Sequence, residues 1–113
     1  MHEMGVVWNI VHSAEQVAKV NDAKKVVSLV LQIGELTGVM PHFVEMCWPA
    51  AIQDTLLADS KLIIEKIPGN VICKTCSNAY NLLEHDASCP ICTAKEWDVL
   101  SGRDVTIKEI AVE

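Results

Sequence analysis

Apolar residues recur along this chain in two different periods, and the switches between them mark its elements. In residues 3 to about 20, Val7, Ile10, Val11, Ala14, Val17 and Ala18 fall at helical spacing, with Asn9, Glu15, Gln16 and Lys19 on the opposite face. Asn21-Asp22 ends that helix. Residues 25–33 alternate instead: Val27, Leu29, Leu31 and Ile33 share one side, the pattern of a half-buried strand. Gly34 and Gly38 bracket a loop. A second helix is expected from Pro41, a residue suited to the first helical position, to about Leu57. Pro49 lies inside it and is expected to kink or split it near Trp48, because proline removes a backbone donor.

Residues 61–67 read as a second strand and Val105–Val112 as a third. In the last strand the alternation slips: Val105 and Ile107 have one parity, Ile110 and Val112 the other. A bulge near Lys108-Glu109 would bring them onto one face. Short apolar strands are not stable singly, so 104–112 is expected to join the sheet of 25–33 or 61–67. The segment between Pro68-Gly69-Asn70 and Gly102 is then an insertion. The expected fold is α+β: two helices on a three-stranded sheet, formed by 1–69 plus 103–113, with residues 70–102 as a separate inserted lobe.

That insertion holds the strongest chemical signal. Cys73-x-x-Cys76 and Cys89-x-x-Cys92 are separated by twelve residues. Two residues between cysteines let one tight turn aim both thiolates at one ion, and a second such turn completes a tetrahedron. The other reading is two disulfides or unrelated core cysteines. A closed four-thiolate shell leaves no place for water, so Zn(II) here would be structural and would supply folding energy to a segment with little core. Iron in a rubredoxin-like site is the rival ion. Cys89-Pro90-x-Cys92 resembles one such knuckle, but Ser77 and Thr93 stand where glycine is usual.

Charge narrows the partners. The net charge is −6 over 113 residues, half of them hydrophobic. Within 73–95 only Lys74 and Lys95 are basic, against Glu84 and Asp86. A nucleic-acid backbone needs a basic face, so a zinc-ribbon nucleic-acid module is disfavoured. No stretch has the length of a membrane span, and no basic-then-apolar leader is visible. Cysteines arranged for metal without a leader point to a reducing, cytoplasmic setting.

The other candidate metal end is Met1-His2-Glu3. A histidine at position 2 is ordinarily a solvated terminal side chain. It also offers a chelate: the Met1 amine, the His2 amide and ring nitrogens, and the Glu3 amide can share one plane, which suits Ni(II) or Cu(II) rather than zinc. Of the remaining candidates, His85 lies inside the inserted segment within reach of a swap into the zinc shell. His12 reads as a surface or half-buried residue, His42 as a helix-start residue with a fourth-ligand role the lesser alternative, Cys47 as a small core residue, and Trp8, Trp48 and Trp97 as packing residues.

These pieces occur in a telling order. Met1-His2-Glu3-Met4 opens a helix, a strand ends in Ile33-Gly34-Glu35, and the two cysteine pairs follow. Ser101-Gly102-Arg103-Asp104 then leads into Ile107-Lys108-Glu109-Ile110-x-Val112. Along its whole length the chain resembles the HypA/HybF family of hydrogenase maturation nickel metallochaperones. The resemblance implies nickel held through the residue matching His2 with its neighbour matching Glu3, and structural zinc on Cys73, Cys76, Cys89 and Cys92. It implies delivery of Ni(II) to the large subunit of a [NiFe]-hydrogenase, together with a HypB-type GTPase, and in some members service to urease maturation factors. It implies no catalysis, and the charge and the lack of a span already argue against nucleic acid and membrane as partners. Pro49, and Gly5 where a helix-favouring residue is expected, depart from the family pattern. The alternative without the resemblance is a zinc-ribbon interaction or nucleic-acid module with no nickel role.

Overall fold

The computed structural model describes residues 2–113, with side chains from Met4 onward. Helix α1 spans His2–Val20. Val7, Ile10, Val11, Ala14 and Ala18 are buried as their spacing requires. Val17 is not: it lies at the edge of that stripe on the last turn and is exposed. The helix closes where expected, with the Asn21 side-chain amide donating to the Val17 carbonyl (2.8 Å).

Strand β1, Val26–Gly34, is the centre of the main sheet. Strand β2, Lys61–Ile67, runs parallel to it on one side, and the last strand, Val105–Val112 (β6), runs antiparallel on the other. The antiparallel pairing carries two irregularities. Between Val30↔Glu109 and Leu31↔Ile107, Lys108 is the extra residue. This is the bulge that the parity slip calls for, and it puts Val105, Ile107 and Ile110 together against the core. Between Val26↔Val112 and Ser28↔Ala111, the extra residue is Val27. This second bulge corrects the expected alternation: Val26 is fully buried and Val27 is turned outward.

Helix α2 spans Pro41–Ile52, with Pro41 in its first turn. Val44, Trp48, Ala51 and Ile52 enter the core. Of the two outcomes expected at Pro49, a kink or a split near Trp48, the split does not occur. The helix continues past Pro49 but ends at Ile52 instead of near Leu57. Pro49 leaves the preceding turn one hydrogen bond short. The chain then turns at Asp54 (φ 62°) and the Thr55 hydroxyl donates to the Ile52 carbonyl (2.6 Å). This turn drops Leu57 into the core. Glu15, expected on the solvent face of α1, accepts from the Leu56 amide (3.1 Å) and ties the turn to α1. Both helices cover one face of the sheet around a core of Val7, Leu29, Leu31, Val44, Trp48 and their neighbours.

Residues between β2 and β6 form a second, smaller sheet of β3 (Asn70–Cys73), β4 (Ala79–Asn81) and β5 (Trp97–Val99), in the order β4-β3-β5. Its core is five residues: Val71, Cys73, Tyr80, Leu82 and Cys89. The entering and leaving strands of this lobe cross the end of β1 closely. A side chain on Gly34 would collide with the Gly102 carbonyl, and Gly102 itself is left-handed (φ 83°) against the Pro68 carbonyl. The Gly34 amide donates to the Asp104 carbonyl (3.0 Å) and the Leu36 amide to the Gly102 carbonyl (2.9 Å).

Gly5 is exposed in α1 with no atom near the position of a side chain. Glycine costs a helix up to about 1 kcal/mol relative to alanine. Gly5→Ala is therefore expected to raise stability by about that amount, read as a higher urea midpoint with an unchanged slope.

Candidate metal centre

Each cysteine pair sits on the same local turn. Cys73 closes β3; its amide donates to the Asn78 carbonyl (2.8 Å) and its carbonyl accepts from the Ser77 amide (2.9 Å). The second pair repeats this: the Cys89 amide donates to the Ala94 carbonyl (2.9 Å) and its carbonyl accepts from the Thr93 amide (2.9 Å). The turn requires a left-handed residue one place after each second cysteine. Ser77 (φ 62°) and Thr93 (φ 65°) fill that role at the positions where the sequence lacks glycine.

The two turns bring four sulfurs together, all within 4.8 Å of one another. Cys73 and Cys92 Sγ are 3.5 Å apart, and Cys76 and Cys89 Sγ are 3.6 Å apart. A disulfide needs about 2.05 Å, and all five cysteines are free. A tetrahedron with metal–sulfur bonds of about 2.3 Å has edges of about 3.8 Å, so the sulfurs already stand at the spacing one such ion requires. The donor set is soft and closed, which suits zinc or a rubredoxin-like iron and excludes hard cations.

Amide donors from backbone and side chain face the sulfurs. The Thr75 amide points at Cys73 Sγ (3.4 Å) and the Asn78 side-chain amide at Cys89 Sγ (3.9 Å). Burial of Cys89 opposes ionisation, but the Cys92 and Ile91 amides and the neighbouring thiols outweigh it and bring its thiol to about 6. Cys73 is also lowered, chiefly by the Cys76 amide. At Cys76 the Asn78 amide favours the thiolate, yet burial and the three neighbouring sulfurs prevail and push it up to about 12. Cys92 is likewise raised: the Ala94 amide lowers it, and burial and Cys73 overcome that. The metal-free set thus shares protons between two easily ionised and two reluctant sulfurs, and a divalent cation would take the protons' place.

The other sequence candidates do not join this site. His85 is exposed and packs edge-on to Tyr80, with ring centres 6.0 Å apart. His12 and His42 are exposed, and His42 lies against Phe43. Cys47 packs at the edge of the main core. Trp48 is a core residue and Trp97 packs on the cysteine lobe, but Trp8 is 58% exposed and so is not a packing residue. Lys74, one of two lysines near the cysteines, faces Asp98 at 3.7 Å, which leaves little basic surface. In the Met1, His2 and Glu3 nickel set, Met1 and the side chains of His2 and Glu3 lie outside the described residues. Sequence reasoning missed Glu35 and Asn81. The Glu35 carboxylate reaches from the end of β1 into the cysteine lobe, accepting from the Gly69 amide and the Asn81 side-chain amide (both 3.0 Å).

A family model described as "Hydrogenase/urease nickel incorporation, metallochaperone, hypA" matches residues 1–112. The hydrogenase maturation factor HypA of Geobacter metallireducens is 35% identical over 113 residues, the full length of both chains. That of Desulfosudis oleivorans is 37% identical, covering all of this chain and 99% of the relative. In fold, the chain is similar to the solution structure of the Ni metallochaperone HypA from Helicobacter pylori (TM-score 0.71, 23% identity, 97% and 96% of the two chains covered). It is equally similar to a second HypA solution structure (TM-score 0.73, 23% identity, 100% and 97% covered).

A left-handed conformation costs a non-glycine residue about 1–2 kcal/mol. Ser77→Gly and Thr93→Gly, which keep the sulfur geometry, are each expected to stabilise the cysteine lobe by about 1 kcal/mol after the entropy glycine adds to the unfolded chain. The gain is larger for the β-branched Thr93. Amide exchange at Val71 and Tyr80 should slow accordingly in both variants.

Proposed function

We propose that this chain, which belongs to the HypA family of hydrogenase/urease nickel incorporation metallochaperones, carries Ni(II) at its amino terminus and holds a structural Zn(II) in the four-cysteine lobe. Residues 1–69 plus 103–113 make the nickel lobe and 70–102 the zinc lobe. The family's members are metallochaperones, not enzymes, and act in hydrogenase maturation. The finer reading is that nickel passes from here to the large subunit of a [NiFe]-hydrogenase, in concert with a HypB-type GTPase. A reducing, cytoplasmic setting suits four thiols arranged for metal. Among the described residues no helix is long and apolar enough to cross a membrane.

The observation that carries the zinc half is the four-sulfur spacing. Cys73, Cys76, Cys89 and Cys92 would hold the ion, and when bound it would cross-link two turns that a five-residue core joins only weakly. The nickel half rests on chelate chemistry and on the start of α1 at His2. The amides of a helix's first turn have no acceptor within the helix, so nitrogens of His2 and Glu3 are available as ligands beside the Met1 amine and the His2 ring. Such a site at a chain end can be dismantled one ligand at a time by a recipient, which suits a carrier that must release its cargo.

Two measurements follow. Protein prepared without chelator should contain about one zinc per chain. Cys76→Ser should lose it and unfold residues 70–102 while α1 remains helical, as resolved by amide exchange. Absence of zinc with the thiols oxidised would reject the site.

Nickel is tested by calorimetric titration of zinc-loaded protein. His2→Ala and a version extended before Met1 should both lose specific Ni(II) binding, whereas His12→Ala, His42→Ala and His85→Ala should keep it. Binding should weaken as pH falls through about 6.5, where an ordinary imidazole takes up its proton. Undiminished affinity in His2→Ala would place nickel elsewhere.

A further inference from the structure

One side chain of the main lobe makes polar contact both with the last residue before the cysteine lobe and with a residue inside it. After β1 the chain makes a single 3-10 turn, Glu35–Thr37. From that turn Leu36 packs its side chain onto the core of the cysteine lobe. Glu35 Oε1 accepts from the Gly69 amide, at the strand entering the lobe, and from Asn81 Nδ2, at the end of β4, both at 3.0 Å. Asn81 in turn reaches Asn70 Oδ1 (3.5 Å). These donors hold the Glu35 carboxyl below its ordinary range, the Gly69 amide contributing most and Asn81 next.

The backbone beneath this contact has been cleared for it. A side chain on Gly69 would meet Leu36 at 2.6 Å and Glu35 Oε1 at 3.3 Å. On the other side, Ser101 donates to the Pro68 carbonyl (2.7 Å), which joins the leaving strand to the entering one. The two connections are therefore tied to each other, and both are tied to the turn after β1. Beside Leu36 lies an open cavity lined by Val39, Met40, Ile67, Pro68 and Leu83, so apolar packing across the junction is incomplete.

We infer that Glu35 is a positioning residue: its carboxylate, bridging Gly69 and Asn81, sets the orientation of the cysteine lobe on the main lobe. Lobe orientation matters because Val6, early in α1, lines one cavity with Val105, which pairs with Ile33 at the junction end of the main sheet. A macromolecule that docks there meets both lobes, and Glu35 decides the angle at which they are presented. The inference does not depend on where nickel binds.

The test uses the full chain with zinc bound and measures residual dipolar couplings of the backbone amides. In the unaltered protein both lobes should fit one alignment tensor. Glu35→Ala should lose that common tensor while zinc content and the couplings within each lobe are kept. Glu35→Gln preserves Oε1 as an acceptor for both donors and should restore it. Gly69→Ala, whose side chain would displace Leu36 as well as crowd Glu35 Oε1, should lose the common tensor as Glu35→Ala does. If Glu35→Ala loses either core, Asn81→Ala, which deletes one of the two bonds, decides in its place. A single tensor persisting in Glu35→Ala and Gly69→Ala would overturn the inference, and so would a Glu35→Gln protein as loose as Glu35→Ala.

Discussion

The pairing of the last strand with the first is the constraint from which the rest of this architecture follows. Because β6 lies antiparallel to β1 while β2 occupies the other edge, the chain between β2 and β6 must leave and return at one end of the sheet. Its ends are pinned beside each other at Gly69 and Gly102. An inserted segment held in this way can fold as a closed unit, since loop closure is already paid by the host sheet. It is nonetheless too small to bury a stabilising core. Three short strands and five buried residues leave cross-linking as the remaining source of order, and two of those five residues are themselves sulfur ligands in waiting.

How far the sequence reveals this depends on how local each cause is. The cysteine turns are legible because each is complete within a few residues, and the missing glycines at Ser77 and Thr93 point correctly to the strained positions. The bulge at Lys108 is legible because the side chains on either side of it must share a core, which shows as a change of parity. The bulge at Val27 is not, since Val26 and Val27 are the same residue type and only pairing with β6 decides which one turns inward. Leu57 reads as the end of a helix but reaches the core through a turn, because Pro49 weakens α2 and Asp54 redirects the chain. Glu35 carries no local sign at all. Its partners lie 34 and 46 residues away, and only the folded crossing brings them to it.

The distribution of strain has the same origin. Among the described residues, Asp22, Asp54, Ser77, Asp86, Ala87 and Thr93 are left-handed without being glycine. Four of these six lie in the cysteine lobe. Such residues persist only where the surroundings over-determine them, and a core of this size does not. The arrangement is consistent with a lobe whose order comes from ligand bonds rather than packing. The sulfur proton affinities agree: Cys89 and Cys76 are driven in opposite directions, to about 6 and about 12. Four sulfurs within 4.8 Å of one another cannot all ionise alike, so their proton affinities split.

The two proposed metal positions then have opposite designs for a physical reason. Four sulfurs drawn from two separate turns can be released only by unfolding the lobe that supplies them, so exchange there is coupled to folding free energy. Ligands at a chain end belong to consecutive residues, and each can leave without disturbing the core. A carrier needs both properties in one molecule: an ion that maintains shape and an ion that can be given away. Placing them in separate lobes prevents the first from becoming a competitor for the second. Sulfur and nitrogen donors reinforce the separation, since a soft tetrahedral shell favours zinc and a planar nitrogen set favours nickel. On the orientation inferred from Glu35, whose carboxylate accepts from Gly69 and Asn81, the two lobes would be presented to a recipient at one fixed angle.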